Sequence, residues 1–427
     1  MAGSSDGRVS SDGRASSDGP GSSESPALDL SFLDEGQAAR SRIARRRTIN
    51  GFAISVVVTT IWLVAVTATG NWGRVGDHLI AGATMVVGSF VAGATPQGGG
   101  AVAFPVFTKV LDVPAEAARS FSLCIQAVGM TSASIAIIVG RRPVVWSAVA
   151  LGAPAGVLAF LATLFLAGDR HQAFWPSTLP APYVKVTFTL VVAAMAWVVL
   201  LGLRTPIRTV SGALPPIGGR LRVALVLAGA LGGVASALVG SGSDVFMYLF
   251  VVVLFGVRGG VGVPTSVITM AIVSVAGFVV LGLLDGQLRV ALNAAGDVTT
   301  VGGEVLAEPL PGGQADLFGM WLAAVPIVAW GAPVGAWVAS RMSARALVLL
   351  ALVVAGAEVI STAIFLDALR SDVALAAYSI IGLIVAIGGV MVLATNRHRL
   401  FGLPPVDLST KLTRTSVEAA KNYQQEL

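Results

Sequence analysis

Two apolar stretches, residues 78–111 and 222–256, constrain this chain most. Each runs about 34 residues, which as straight helix reaches about 51 Å. That is too long for one crossing of a bilayer whose hydrocarbon core is about 30 Å thick. Each is interrupted near its middle, by ATPQGGG at 94–100 and by VGSGSD at 239–244. Consecutive glycines and a proline make a poor helix interior. The expectation is two half-helices per stretch, joined by an irregular turn inside the membrane. Eight ordinary spans accompany them, near 50–69, 114–139, 143–167, 182–203, 262–284, 318–340, 344–366 and 373–395.

Composition agrees with lipid as the solvent. Of 427 residues, 55% are hydrophobic and 12% charged, against about 25% charged in a soluble domain. Mean hydropathy is +0.82. A soluble enzyme, a disordered protein and a disulfide-built secreted domain are excluded, since the one cysteine, Cys124, has no internal partner. The apolar runs are continuous rather than alternating, which argues against a strand-built barrel. The net charge of +5 comes from Arg clusters between apolar runs, where topology-setting charges sit. No basic face interleaved with aromatics is present, so no nucleic-acid partner is expected.

Residues 1–47 repeat Ser-Ser-Asp-Gly and hold little that can be buried, so they read as a disordered cytoplasmic tail. No apolar run of signal-peptide type falls in the first thirty residues. The segment SFLDEGQAARSRIARRR can form a short amphipathic helix ending in Arg45, Arg46 and Arg47. It is either a lipid-surface anchor or, the favoured reading, a charge cluster holding the N-terminus in the cytoplasm. A transmembrane domain then spans 48–400, followed by a second cytoplasmic tail at 401–427.

Positive charge orients the spans. Arg141 and Arg142, the group Arg204, Arg208, Arg220 and Arg222, then Arg341 and Arg345, then Arg397 and Arg399 belong on the cytoplasmic side. The segment 285–317 is acidic and has no positive excess. One arrangement satisfies all of this: each broken stretch returns to the face it came from, the other eight segments cross, and both termini are cytoplasmic.

The chain also carries its own image. Each broken stretch is followed by three spans, giving repeats at about 78–203 and 222–366. VALGAPAGVLAF at 149–160 resembles VAWGAPVGAWVA at 328–339, and Gly98-Gly99-Gly100 aligns with Gly240-Ser241-Gly242. By the charge assignment the two hairpins come from opposite faces. The fold class is therefore an all-α polytopic membrane protein with an inverted repeat, each half a broken, re-entrant helical hairpin plus about three spans, with flanking spans. Inverted repeats whose broken helices meet at the midplane are a signature of secondary transporters.

The run GGGAVAFPVF at 98–107, repeated in weaker form as GSGSDVFMYLF at 240–250, resembles the sulfite exporter TauE/SafE family over roughly 78–395. The second copy departs from the family pattern: it lacks the following proline and places Asp244 where a small or apolar residue is usual. The resemblance implies export of small sulfur-containing anions such as sulfite or organosulfonates, with uptake in some members.

A half-helix beginning inside the membrane aims unpaired N–H groups and a positive dipole end at the midplane. Here those donors come from about Gly99 to Val102 and Ser243 to Phe246, and two such ends facing each other suit an anion. The candidate substrate-binding residues are Thr95, Gln97, Gly98, Gly99, Gly100, Ser122, Gln126, Gly240, Ser241, Gly242, Ser243, Thr265 and Ser266. The competing readings are close helix packing for the glycines and bonds to a carbonyl one turn back for each Ser or Thr. Asp244 reads either as a satisfied carboxylate at a helix start or as a titratable group coupling protons to the anion, since intramembrane carboxylates are costly and usually functional. Glu358, midway along its span, is a second proton-coupling candidate. Lys109 and Lys185 lie near span ends and are expected to snorkel to the interface.

No catalytic constellation, metal site or cofactor motif appears: the three His (His78, His171, His398) lie at span ends or in the tail, and Cys124 reads as a small core residue. The sequence therefore reads as a secondary transporter of a small anion by alternating access, proton-coupled and exporting, in a bacterial inner membrane. An anion channel using the same half-helix ends and a non-transporting membrane scaffold remain as alternatives. The expected partners are a small anionic substrate, the lipid bilayer and protons as coupling ion, and a homodimer is left open.

Overall fold

The computed structural model describes residues 49–396, except 112, 114, 167–179, 205–217, 285–287, 289, 293–297 and 301–315, together with 399–400. All belong to the unit Arg46–Leu427. The tails expected at 1–47 and 401–427, including the amphipathic segment before Thr48, lie outside the described residues, as does most of the acidic segment 285–317.

Helices account for almost all of the described chain. They are α1 (Ala53–Thr69), α2 (Trp72–Asp77), α3 (Leu79–Ala94), α4 (Gly100–Pro105), α5 (Ala115–Val139), α6 (Trp146–Leu166), α7 (Ala181–Arg204), α8 (Gly219–Val239), α9 (Ser243–Tyr248), α10 (Gly259–Gly277), α11 (Leu317–Ala339), α12 (Ala344–Phe365), α13 (Ala368–Ser371) and α14 (Val373–Thr395). Three continue as wider π-helical turns, α4 over Val106–Val110, α9 over Leu249–Leu254 and α10 over Phe278–Leu284. One small antiparallel ribbon pairs β1 (Val290–Leu292) with β2 (Val298–Thr300).

Three helix starts, those of α11, α12 and α14, are capped by side chains that satisfy exposed N–H groups. Asp316 accepts from Gly319 N–H at 2.8 Å, Ser343 from Ala346 N–H at 3.2 Å, and Asp372 from Ala374 N–H at 2.8 Å. Among the described residues, eight helices are long and apolar enough to cross a membrane. The centre and the rim of the bundle separate clearly. The apolar window of α5 is 67% buried and that of α11 61%, whereas those of α12 and α14 are 22% and 6% buried. Val373, Ile380, Ile381 and Ile384 on α14 are exposed, which suits lipid rather than water as the neighbour.

Both apolar stretches break where the glycines fall. The halves are unequal, however, and this differs from the expectation. The first legs are long, 16 residues in α3 and 21 in α8, and α8 alone reaches about 31 Å. The second legs are short, covering 100–110 and 243–254. The length lies in the first legs because each packs along a full helix of the opposite half.

That packing uses the repeated GAPxG sequence. On α6, Gly152 and Gly156 receive Gly229 and Gly233 of α8, so closely that a Cβ on either α8 glycine would strike the facing backbone. On α11, Gly331 and Gly335 receive Ser89 and Phe90 of α3 in the same way, and Gly93 meets Ala332. Small residues let helix backbones approach and gain dispersion contact where lipid offers no hydrophobic drive.

Contacts also fix helix directions. Along α3 and α11, Gly82 faces Ala323 and Gly93 faces Ala332; along α5 and α11, Cys124 O accepts from Trp321 Nε1 at 3.2 Å and Gly129 faces Val328. So α3, α5 and α11 run parallel. Along α6 and α8, Gly152 pairs with Gly229 and Gly156 with Gly233; Gly156 also meets Val273 of α10, while Val145, just before α6, bonds Thr265 near the start of α10. So α6, α8 and α10 run parallel. The two sets oppose each other, since Leu123 early in α5 meets Gly277 at the end of α10. Equivalent helices of the two repeats thus point in opposite directions. Because α3 and α5 share a direction, the short leg between them runs back.

Candidate functional site

The two breaks meet. Gly98 sits at φ +66°, in the left-handed region that glycine enters freely. A Cβ there would collide with Asp244 Oδ2, and it would stand 3.2 Å from both Gln126 Oε1 and Ser241 Oγ. A Cβ on Gly100 would lie 2.6 Å from the Ser241 Cβ and 3.1 Å from Ser122 Oγ. Across the junction, Gly240 at φ +77° is pressed against Arg119 O, where a Cβ would come within 2.6 Å. Only glycine permits these approaches.

Helix α5 stitches the breaks together. Ser122 Oγ donates to Gly240 O at 3.0 Å. The Gln126 amide donates from Nε2 to the same carbonyl at 2.9 Å and to Ser122 Oγ at 2.7 Å. Both donations turn Gln126 Oε1 toward Gly98. Gln97 donates from Nε2 to Ala351 O on α12 at 3.0 Å. Four buried oxygens here, Gln97 Oε1, Gln126 Oε1, Ser241 Oγ and Asp244 Oδ2, have no hydrogen-bond partner among the described residues. The other Asp244 oxygen, Oδ1, accepts from Val245 N–H at 2.9 Å.

The remaining candidates divide. Thr95 Oγ1 donates to Val91 O at 3.0 Å and closes the end of α3. Gly99 packs on its own first leg, against Gly88 and Ala92. Gly242, at φ +140°, turns the chain beside Ala235. Ser243 bonds Ser236 on α8, its N–H donating to Ser236 Oγ at 3.2 Å. On α10, Thr265 Oγ1 donates to Val261 O and accepts from Val145 N–H, and Ser266 Oγ donates to Val263 O. These two hydroxyls serve their own helix and the start of α6, so the halves differ: α5 reaches the opposite break through Ser122 and Gln126.

Glu358 lies in a different place from Asp244. Its Oε1 accepts from Lys109 Nζ at 2.9 Å and Thr189 Oγ1 at 2.7 Å, and Lys109 also donates to Thr362 Oγ1 at 2.7 Å and Ser361 Oγ at 3.1 Å. The expectation that Lys109 snorkels to the interface is corrected: its side chain is 1% exposed, held inward by the Glu358 carboxylate. Lys185 likewise turns inward, donating to Thr108 O at 2.9 Å. This cluster joins the end of the first short leg to α7 and α12.

Arg119 is the residue that sequence reasoning missed. It is wholly buried one turn before Ser122 and donates to Ala237 O at 3.3 Å, in the last turn of α8. A cation there complements the negative end of the α8 dipole. The signal was present as a lone arginine inside the α5 apolar run. A small apolar pocket adjoins the junction, lined by Met85, Ser89, Ala92, Gly99, Gln126 and Met130, among others.

The profile of the sulfite exporter TauE/SafE family matches residues 80–362, from α3 through α12. The chain belongs to the TauE/SafE family. It is thus a multi-pass membrane protein of a transporter family. Searches of curated proteins and of solved structures return no match. The match covers both breaks of this TauE/SafE protein, the two GAPxG helices and the Lys109–Glu358 cluster, and leaves α1 and α14 outside.

Proposed function

We propose that this TauE/SafE protein is a secondary transporter that exports a small sulfur oxyanion, sulfite or an organosulfonate, across the bacterial cytoplasmic membrane. Transport proceeds by alternating access to the junction of the two breaks, with both termini in the cytoplasm. One observation carries the reading: breaks from two oppositely directed halves meet in the buried interior, Gly98–Gly100 against Ser241–Asp244. What supports re-entrant hairpins is the reversal of direction between α3 and the following leg. What supports an anion is the pair of helix starts at 100 and 243, whose N–H groups favour negative charge.

The junction also holds a carboxylate. A charged Asp244 repels an anion, so the anion approaches only when a co-bound cation neutralises Asp244, in the simplest case a proton. That linkage couples the two movements, and a gradient of one drives the other.

The test is sulfite efflux from proteoliposomes holding the full chain, with and without an imposed pH gradient, alongside sulfoacetate, taurine, thiosulfate and chloride. Saturable efflux of one sulfur oxyanion, with altered pH dependence in Asp244→Asn, is expected. Efflux no faster than from protein-free liposomes across the panel would end the reading. Non-saturating flux of every anion would make the protein a channel.

A further inference from the structure

We infer that Asp244, Gln126 and Ser241 form a binding site for a sodium ion at the junction of the two breaks. The inference rests on the transporter reading and names the cation that neutralises Asp244.

The three oxygens Asp244 Oδ2, Gln126 Oε1 and Ser241 Oγ converge on Gly98 from three elements, α9, α5 and the second break. All three residues are at least 98% buried, and none of these oxygens has a hydrogen-bond partner among the described residues. Their orientation is imposed. Both protons of the Gln126 amide are spent on Ser122 Oγ and Gly240 O, so its acceptor end must face Gly98. Asp244 is held by the Val245 N–H on its other oxygen.

Two of the three atoms are acceptors only, and the third can accept. The Ser241 hydroxyl can donate one proton to a neighbour, which still leaves one acceptor-only oxygen at this buried point without a positive partner, and that is costly. A sulfur oxyanion brings more acceptors and cannot fill that need. A proton on Asp244 forms one hydrogen bond, whereas a metal cation touches all three oxygens at once. Carboxylate, carbonyl and hydroxyl oxygens suit hard ions. One carboxylate supplies one negative charge, which matches a monovalent ion. The tight approach of Gly98 and Gly100 to Ser241 favours the smaller alkali ion. The first legs α3 and α8 both end at this junction, bringing the negative ends of their dipoles to it, as half-helix C-termini do at coupling-ion sites.

The experiment measures thermal stability of the purified full chain in NaCl, KCl and choline chloride at equal ionic strength, and sulfite efflux from proteoliposomes under a sodium gradient. Saturable stabilisation by sodium alone is expected, with the apparent affinity lowered at least tenfold in Asp244→Asn and in Ser241→Ala. The milder Ser241→Ala keeps the test open if Asp244→Asn fails to fold. Because the anion and its co-bound cation cross together, sulfite efflux should accelerate at least fivefold when sodium is higher inside the proteoliposomes than outside. Sulfite efflux that responds to protons while sodium neither stabilises nor accelerates would overturn the sodium site and leave the transporter reading standing. Sodium stabilisation without flux of any anion would uphold the site and overturn the transporter reading. Equal stabilisation by sodium and potassium in wild type and both variants would overturn the site.

Discussion

Gly98 and Asp244, from opposite halves of the chain, approach so closely that no side chain fits between them. The left-handed backbone of Gly98 adds a conformational demand to the steric one. Gly98→Ala costs about 1–2 kcal/mol for backbone alone, and its methyl group displaces the Asp244 carboxylate. Efflux from proteoliposomes should fall at least tenfold in protein that still elutes as a folded species. Retention of wild-type flux would detach the junction from transport.

The GAPxG packing predicts a contrast between two glycines. Gly229→Ala drives a methyl into the Gly152 backbone, with overpacking of about 1–3 kcal/mol or more. Gly356 on α12 has nothing within 4 Å of its Cβ position, so Gly356→Ala should be neutral or stabilise by up to about 1 kcal/mol through helix propensity. Melting temperatures of the two variants check this, and similar values would refute it.

Lys109 and Glu358 are mutually dependent. Lys109→Met leaves a buried carboxylate uncompensated, a loss of about 3–5 kcal/mol. The double variant Lys109→Met with Glu358→Leu removes both charges and should recover most of that stability. A double variant no better than the single one would mean the pair is not the source of the loss.

Acid should loosen the contact between the starts of α3 and α11. Burial alone would raise the Asp316 carboxyl, but hydrogen bonds from His78 and the Gly319 N–H, with the His78 and Arg74 charges, outweigh it and hold the group below its ordinary 3.8. A lowered carboxyl contributes stability that is present above pH 3.8 and is lost as pH falls through its lower folded value. The acid limb of a melting profile between pH 5 and 2.5 should therefore be shallower in Asp316→Asn than in wild type. Identical limbs would contradict this.

Much of this was legible in the sequence because membranes impose blunt rules. Length against bilayer thickness marked 78–111 and 222–256 as broken, and the breaks fall at the glycines. The repeated Gly-Ala-Pro marked equivalent helices, although its purpose, to receive α8 on α6 and α3 on α11, needed coordinates. What the sequence could not give was pairing at a distance. Lys109 looks like an interfacial lysine until Glu358, far along the chain, is placed beside it. Ser122 and Thr265 look alike on paired spans, yet one bonds the opposite break and the other its own helix. Arg119 was overlooked because an apolar average hides a single charge. Helix lengths around the breaks were misjudged because tertiary packing, rather than local preference, extends α8 to its full 21 residues.

The exchange of partners between the halves has a consequence for how the protein is made. Helix α3 emerges early, but the surface that receives its glycine face belongs to α11; His78 and Asp316, at the mouth of that contact, are 238 residues apart. At ribosomal speeds that separation is on the order of tens of seconds. For that interval the α3 face that packs on α11 lacks that partner. The packing of α3 is therefore completed only once the second half of the chain has been made.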